Sequence, residues 1–330
     1  MFKLSIVIPT YNRSNLLEYT LEAIINQCSS NSLKNSIEII VSDNDSTDNT
    51  KEVVEKIDQK FRWGIQYFKN EENIGDLNFI YSLSKAKGEF IWLFADDDLL
   101  EGGAIVNILN NLNSKTDLYI LNYSIWDDSF CNIIRQFRYP FISNFTLQKR
   151  DKVLSKFGIG LQFISANIFS RRLYERLNLQ KCMLLKNDNN MHLYMIYSGL
   201  NVDCQVQFFA KTLLKYRGNL SSPPKPEVWN RIFVHSNFKL FMYLYREGYS
   251  IYSIYLATDK IIKTYLISNI VSSRVSGYGR IRTISNMPYM IYFHPRFILF
   301  CIPLLLIPSN LLIILKSIFN RLRTSRNSYY

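Results

Sequence analysis

The first hundred residues alternate between short apolar runs and longer stretches in which apolar residues recur at helical spacing. The runs predict buried strands, and the stretches between them predict amphipathic helices. Strands are expected at residues 4–8, 37–41, 65–68 and 90–94, with helices after the first three, near 47–61 and 77–86 for the second and third. Strands that alternate with helices indicate an α/β fold built on a mostly parallel sheet.

The first expected helix carries a start signal. Asn15 precedes Glu18 by three residues, which is the spacing of a capping box. The helix would bury an apolar face marked by Leu17, Leu21 and Ile24.

The pattern is less regular beyond about residue 115. A strand is expected at 118–122, an extended ribbon at 132–139 and a helix near 147–157. Three prolines between 223 and 226 mark a break, after which apolar residues at helical spacing predict further helices. We therefore expect one domain over residues 1–220 and a helical region over 221–330.

Polar residues gather directly after each of the first four expected strands. These segments are residues 9–13, 42–48, 70–76 and 95–98. Ligands of parallel α/β sheets bind beyond the carboxyl ends of the strands, so the four segments should converge on one binding site.

Three consecutive carboxylates, Asp96, Asp97 and Asp98, follow the fourth expected strand. Neighbouring carboxylates repel one another unless a cation or solvent relieves them. A hard divalent cation such as Mg²⁺ or Mn²⁺ would relieve the repulsion and could clamp a diphosphate. The alternative is that the aspartates only cap the helix that follows Gly102, and spacing alone does not separate the two.

The net charge of +12 predicts anionic partners. From Lys260 onward the chain has ten basic residues and no acidic residue, so the excess is C-terminal. Its confinement to an apolar tail argues against a nucleic-acid partner. Five widely spaced cysteines indicate neither a disulfide framework nor a zinc site, and they fit a reducing cytosol.

An apolar segment, residues 297–315, lies within this basic tail. Pro303, Pro308 and Asn310 interrupt it, and basic residues flank it on both sides, so a single crossing would place one cluster on the wrong side of a membrane. We expect an interfacial or re-entrant hairpin bound to an anionic membrane surface, on the inner face of the cell membrane. The alternative is a buried helical pair or a homo-oligomer interface.

Four segments of the chain resemble the family 2 glycosyltransferases of the GT-A fold, in that family's order and approximate spacing. They are Ser5-Ile-Val-Ile-Pro-Thr-Tyr-Asn-Arg13, residues 39–50, Asn73-Ile-Gly75 and residues 87–98, and the resemblance is close over residues 1–115. It implies a Rossmann-like GT-A domain with a helical C-terminal extension. It further implies inverting transfer of a sugar from a nucleotide-diphosphate sugar to a glycan acceptor, lipid-linked in our interpretation, in bacterial surface polysaccharide synthesis.

The resemblance assigns roles to the strand-end residues. Pro9, Tyr11 and Arg13 would border the nucleobase, and Asp43 would accept a hydrogen bond from it. Asn44 departs from the pattern, because the family commonly has a second acidic residue there. Further along, Asn73 and Gly75 would line the donor, Asp96 would lie near the ribose, and Asp98 would bind Mn²⁺ or Mg²⁺.

The inverting reaction needs a base for the acceptor hydroxyl. We predict Asp188, just before a helix expected at 192–197, with Asp127 and Asp128 as alternatives; the other interpretation of Asp188 is a helix N-cap. His192 lies one turn after Asp188 and could orient it.

The segment 157–169 resembles the acceptor-facing part of the family, and its Gln162, Ser165 and Asn167 could bind a sugar; a core strand is the other interpretation. Residues 1–115 would then be the nucleotide-sugar-binding half, 116–220 the acceptor half and 221–330 the membrane-associating region. An inactive nucleotide-sugar-binding protein and a nucleotidyltransferase remain open as other functions. The lack of glycine between Pro9 and Arg13 disfavours the second.

Overall fold

The computed structural model describes residues 2–28, 31–183, 191–218, 225–285 and 287–317. The described residues form two compact units. The first comprises Met1–Val153 and Gly160–Ser222, and the second comprises Leu154–Ile159 and Pro223–Tyr330, as far as these ranges are described. The first unit is α/β and the second is helical.

The described part of the first unit contains ten strands with helices between them along the chain. In chain order its elements are β1 Leu4–Thr10, α1 Ser14–Gln27, α2 Asn31–Lys34, β2 Ile37–Asp43, α3 Thr50–Phe61, β3 Gln66–Lys69, α4 Leu77–Lys85, β4 Phe90–Leu93, β5 Leu99–Leu100, α5 Ala104–Asn111, β6 Leu118–Trp126, β7 Ile133–Arg135, β8 Phe145–Gln148, α6 Arg150–Phe157, β9 Asn167–Ser170, α7 Arg171–Glu175, α8 Leu179–Met183, α9 Met191–Gly199 and β10 Gln205–Arg217. Helix α6 runs on into the second unit.

One mixed sheet joins these strands in the order β3-β2-β1-β4-β9-β6-β10-β5, with β7 paired to β6 and β8 to β10. The first four strands of that order are parallel, and β9 is antiparallel to both β4 and β6. The carboxyl ends of β1, β2 and β4 therefore meet at one edge. The expectation of an α/β fold with a central sheet flanked by helices is confirmed, but the sheet is mixed rather than mostly parallel, because β5, β7, β8 and β9 pair antiparallel with their neighbours.

The centre of this sheet is buried because its strands are rich in β-branched and aromatic residues. All seven residues of β2 and all four of β4 are buried, as expected for parallel strands covered on both faces. Helix α1 buries Leu17, Leu21 and Ile24, so its predicted apolar face is confirmed.

One local prediction was wrong, and two were correct only in part. Helix α1 begins at Ser14, not after an Asn15 cap, because the Ser14 N–H donates to Asp48 Oδ2 (2.9 Å) on the next strand-end loop. The ribbon expected at 132–139 is confirmed in part: β7 pairs with β6, and the Arg138 N–H donates to the Tyr123 carbonyl (2.8 Å). The helix expected from residue 147 begins at Arg150, because β8 pairs with β10 instead.

The second unit is helical throughout its described part. Its elements are α10 Pro226–Asn230, α11 Ser236–Arg246, α12 Ile251–Ile261, α13 Ile267–Val275, α14 Arg280–Ile284 and α15 Ile302–Leu306, with π-helical turns at Arg231–His235, Ile262–Leu266 and Phe297–Cys301. Within the described residues, no single helix has the length and apolarity to cross a membrane. The adjoining helices Phe297–Leu306 and Ser309–Ser317 meet that test only together, and they are bent by 109°.

Candidate active site

An open cleft of about 360 Å³ lies in the first unit, where β1, β2 and β4 end. All four of the polar strand-end segments contribute to it, as the sequence predicts. Its lining residues are Pro9, Thr10, Tyr11, Arg13, Asn44, Gly75, Asp76, Asn78, Phe79, Ala95, Asp96 and Ile164. Five predicted donor residues are thus brought together here: Pro9, Tyr11, Arg13, Gly75 and Asp96.

Asp96 is fixed at the floor of this cleft by two donors. The Thr10 hydroxyl donates to Oδ2 (2.7 Å), and Arg13 Nη1 donates to Oδ1 (2.8 Å) and to Asp97 (3.0 Å). Burial raises the pKa of Asp96, while the Arg13 charge and the Thr10 hydrogen bond oppose that rise. Arg13 remains half-exposed, so it can still contact a ligand.

Asp98 lies behind the cleft, with only 1 % of its surface exposed. Its Oδ2 accepts a hydrogen bond from the Ser165 hydroxyl (2.6 Å), and Oδ1 accepts a long one from the Arg217 N–H (3.4 Å). Burial raises the pKa of Asp98 well above its usual range, and the negative charge of Asp97 adds to the rise. A nearby cation would stabilise the charged form of a carboxylate that is buried in this way.

The residues fit a divalent cation only if a substrate completes the site. Among the described residues, no three Asp, Glu, His or Cys side chains come together as metal ligands. Asp96 and Asp98 would provide at most two carboxylates. That number suits Mg²⁺ or Mn²⁺, because these ions commonly combine one or two carboxylates with water and substrate phosphates.

Asp43 is 1 % exposed, and both of its oxygens already accept hydrogen bonds. The donors are the Ser46 N–H (2.8 Å) and the Tyr67 hydroxyl. Burial raises the pKa of Tyr67, and the bond to Asp43 adds to that rise. Sequence reasoning missed Tyr67, although β2 and β3 pair with Val41 opposite Tyr67, which puts this ring close to Asp43.

Asn73 and Gly75 belong to a loop that forms one wall of the cleft. Gly75 has a φ of 57°, a left-handed conformation that favours glycine, and it lines the cleft directly. Asn73 does not line it; its Oδ1 accepts from Asn44 Nδ2 (2.7 Å) instead.

The predicted acceptor residues are bound to the protein's own backbone or core. Ser165 is fully buried: its hydroxyl donates to Asp98 and accepts from the Ala95 N–H (2.9 Å). Asn167 Nδ2 donates to the carbonyls of Leu161 (2.9 Å) and Phe163 (2.8 Å). These two side chains shape the loop beside the carboxylates, and neither lines the cleft.

Gln162 is half-buried within a 3₁₀ turn, and His192 lies in the first turn of α9 with its ring edge-on to Phe79 at 6.1 Å between ring centroids. Burial lowers the pKa of His192 to about 4, so its imidazole is neutral near pH 7. A buried neutral ring of this kind packs against its neighbours and is poorly suited to accept a proton.

The predicted base, Asp188, lies outside the described residues. Of its alternatives, Asp127 uses its carboxylate within its own turn, where it accepts from Ser129, from the Cys131 N–H and from Asn132. The Asn132 hydrogen bond is the main reason that its pKa falls to about 2. Asp127 is therefore a turn residue with little tendency to take up a proton.

Sequence reasoning also missed Arg217, the last residue of β10. Its Nε donates to the Asp97 carbonyl (3.2 Å), Nη1 donates to the Asp128 carbonyl, and its guanidinium lies 4.5 Å above the Phe130 ring. Arg217 thus contacts the carboxylate segment through the Asp97 carbonyl and through its own backbone N–H to Asp98, and nothing in its local sequence pattern signals these contacts.

A family model described as Glycosyl transferase family 2 matches residues 5–177, which is more than half of the chain. The abequosyltransferase RfbV of Salmonella typhimurium is 27 % identical over 262 residues, covering 75 % of each chain. The GalNAc(5)-diNAcBac-PP-undecaprenol beta-1,3-glucosyltransferase of Campylobacter jejuni is 40 % identical over 115 residues, covering 34 % of this chain and 35 % of that protein.

Among solved structures, S. aureus TarS 1-349 in complex with UDP-GlcNAc superposes with a TM-score of 0.57 at 13 % identity. The match covers 89 % of this chain and 84 % of that one. At this identity the likeness shows a shared GT-A fold.

Proposed function

The chain belongs to glycosyl transferase family 2 and is a glycosyltransferase, and from that premise we propose what it binds and transfers. Its donor is a nucleotide-diphosphate sugar held in the cleft where β1, β2 and β4 end. Its acceptor is a glycan in the synthesis of a bacterial surface polysaccharide. The convergence of Tyr11, Arg13, Gly75 and Asp96 on that cleft is the observation that carries the proposal.

The nucleoside would lie between the ends of β1 and β2. Tyr11 has 43 % of its surface exposed at the cleft, and Arg13 stands beside it, so a base can stack on a ring and a guanidinium. Asp43 still has free lone pairs beyond its two accepted bonds, since a carboxylate can accept about four. Asp96, at the cleft floor, would meet the ribose.

The diphosphate would lie above Asp96 and Asp98, which would hold Mn²⁺ or Mg²⁺ together with its phosphate oxygens. When bound, the cation neutralises negative charge on the departing diphosphate. Residues of this chain hold the two carboxylates in position. The positive charge of Arg13 pairs with Asp96, and the Ser165 hydroxyl and the Arg217 N–H fix the orientation of Asp98.

Transfer would invert the anomeric configuration, with Asp188 taking the proton of the acceptor hydroxyl. We propose a lipid-linked acceptor. Two observations support this: the Campylobacter relative is named for an undecaprenol-linked substrate, and the second unit exposes a large apolar surface.

That apolar surface lies on the bent helix pair Phe297–Leu306 and Ser309–Ser317. It exposes Ile298, Leu299, Phe300, Ile302, Leu306, Leu311, Ile313, Ile314 and Leu315. The bend is held by guanidinium groups: Arg274 Nη2 donates to the Ile307 carbonyl (3.3 Å) and Arg280 Nη2 to the Leu306 carbonyl (3.1 Å). A bend fixed in this way favours insertion into one leaflet of an anionic membrane at the cytoplasmic face.

The donor proposal predicts selective stabilisation by one nucleotide. We expect one of UDP, GDP, CDP and dTDP, tested with their sugars and with Mn²⁺, to raise Tm by about 5 °C at a hundredfold excess over Kd. The shift should shrink when EDTA replaces Mn²⁺. Equal, negligible shifts for all four nucleotides would refute the donor cleft, and a shift without turnover on any lipid-linked glycan would indicate an inactive binding protein.

The membrane proposal predicts that the full-length protein sediments with vesicles containing anionic lipid. The double variant Leu299→Glu/Leu306→Glu should lose most of this binding, because it places two charges among residues that are 67 % and 62 % exposed. Ile251→Glu, at an exposed isoleucine on α12, is the matched control and should still bind. Added salt should weaken the binding, since each nearby Lys or Arg contributes on the order of 1 kcal/mol. A soluble dimer that the double variant dissociates would instead show an oligomer interface.

A further inference from the structure

Asn44 is the residue at which the sequence departs from the usual acidic pair, and its surroundings explain an amide there. It follows β2 directly, is only 6 % exposed, and its N–H donates to the Thr10 carbonyl (2.9 Å) at the end of β1. Its side chain therefore starts from a rigid position at the cleft edge.

The Asn44 amide makes four hydrogen bonds, and all go to the loop 70–75. Oδ1 accepts from the Ile74 N–H (2.9 Å) and from Asn70 Nδ2 (3.0 Å). Nδ2 donates to Asn73 Oδ1 (2.7 Å) and, at a longer distance, to the Gly75 carbonyl (3.4 Å). An asparagine side chain can make about this many bonds, so little of its capacity is left for a ligand.

Backbone groups fix which end of each amide is oxygen. The Ile74 N–H can only donate, so it must meet Asn44 Oδ1; the Gly75 N–H likewise meets Asn73 Oδ1 (2.9 Å). Asn44 must therefore present its NH₂ to Asn73. An aspartate at position 44 could accept from Ile74 but would turn an oxygen toward Asn73 Oδ1, where the two would repel.

The same network ties the loop to the sheet and to α4. Asn70 Nδ2 also donates to Asn78 Oδ1 (3.1 Å), and Asn78 Nδ2 donates to the Ser42 carbonyl (3.0 Å). The Asn70 N–H donates to the Asp43 carbonyl (2.9 Å). The Asn44 side chain holds both Ile74 and Gly75: it accepts from the Ile74 N–H and donates to the carbonyl of Gly75, which lines the cleft.

We propose that Asn44 is a positioning residue: it holds the loop 70–75 as one wall of the donor cleft and does not itself recognise the nucleobase. The predicted effect on donor binding rests on the proposed donor cleft. The predicted effect on the loop rests only on the hydrogen-bond network. The residue that departs from the family pattern would thus affect how tightly the donor binds and leave the choice of base to other groups.

The test is Asn44→Asp, which exchanges one NH₂ for an oxygen at constant shape. The KM for the donor should rise roughly ten- to a hundredfold, as expected for a buried hydrogen-bond donor replaced by a repelling oxygen, while kcat changes little. The preferred nucleotide should stay the same. Asn49→Asp makes the same chemical change at an exposed position five residues away and should match the wild type.

Asn73→Ala removes the side chain that accepts from Asn44. Because Asn73 is exposed, this variant tests the same contact without burying a charge. It should also raise KM, and the double variant should be no worse than Asn44→Asp alone, because both disrupt one contact. A changed nucleotide preference in Asn44→Asp, or unaltered donor binding in both single variants, would overturn the proposal.

Hydrogen exchange separates this proposal from the donor assignment. The peptide that contains Ile74 and Gly75 should exchange faster in Asn44→Asp than in the wild type and in Asn49→Asp, with no nucleotide present. Unchanged exchange would refute the positioning role. Faster exchange in a protein that binds no nucleotide would support it while refuting the donor cleft.

Discussion

Asp98→Ala is expected to abolish sugar transfer, lowering kcat/KM by about a thousandfold or more, since a catalytic cation contributes several kcal/mol of charge stabilisation. The same change should remove the effect of Mn²⁺ on nucleotide binding. Asp96→Ala should also be severely impaired, because that carboxylate forms the cleft floor. Initial rates and nucleotide titrations, each with Mn²⁺ and with EDTA, measure both effects.

Asp98→Asn separates charge from shape, because an amide oxygen can still accept from Ser165. Burial raises the pKa of Asp98, so the metal-free fold binds this proton more tightly than the unfolded chain does. The wild type should therefore lose stability as pH rises above the ordinary aspartate range, towards the raised pKa. Asp98→Asn should lack that loss, so its Tm near neutral pH, measured in EDTA, should be equal or higher while its activity is absent.

Asp97→Ala is the matched control within the same carboxylate run. Its carboxylate is partly exposed and pairs with Arg13. This variant should keep the response to Mn²⁺, although the released Arg13 can alter donor affinity. If Asp98→Ala remained fully active while Asp97→Ala lost the Mn²⁺ response, the cation would belong to Asp97 and the assignment to Asp98 would be wrong.

The parallel half of the sheet was predictable because its signals are local. Strands such as β4 are continuous apolar runs, since they are covered on both faces, and β4 is followed by a polar loop. Parallel strands share a carboxyl edge, so the clustering of Arg13, Gly75 and Asp96 follows from the strand assignments alone. No contact between these residues had to be known beforehand.

The contacts that fix Asp98 could not be predicted, because they join distant parts of the chain. Ser165 meets Asp98 across 67 positions, and the Arg217 N–H meets it across 119. Those contacts arise because β9 and β10 enter the sheet far from their sequence neighbours, and no local periodicity encodes that insertion. Ser165 therefore looked like an acceptor contact, although its hydroxyl orients a carboxylate.

The capping prediction at Asn15 failed for a related reason. The pattern correctly predicted a helix here. Its start differs, however, because the Ser14 N–H donates to Asp48 on another strand-end loop. Tertiary contacts of this kind replace local caps where several loops converge, which is also where the site forms. Predictions from local sequence patterns are therefore least reliable for residues beside the functional site.

The structure narrows the choice of catalytic base. Asp127 holds its own turn with a pKa lowered to about 2, and His192 is neutral and buried with a pKa lowered to about 4. The environment of Asp127 does not suit a base that must take a proton from a sugar hydroxyl near neutral pH, and His192 was predicted only to orient the base. Asp188, which precedes α9 and lies outside the described residues, remains the candidate that the family resemblance supports, with Asp128 as its alternative.

Asp188→Asn is therefore expected to bind the donor as the wild type does but to lose turnover, by about a hundred- to ten-thousandfold in kcat, the usual contribution of a positioned base. The amide keeps the shape of the side chain and removes its basicity. Nucleotide-induced Tm shifts should match the wild type, while transfer at saturating acceptor is measured by release of the nucleoside diphosphate. Asp127→Asn is the matched control and should keep its activity, because Asp127 builds a surface turn. If the Asp127 variant lost turnover and the Asp188 variant did not, the base would lie in the 127–132 turn, and the acceptor would have to approach the donor from that side.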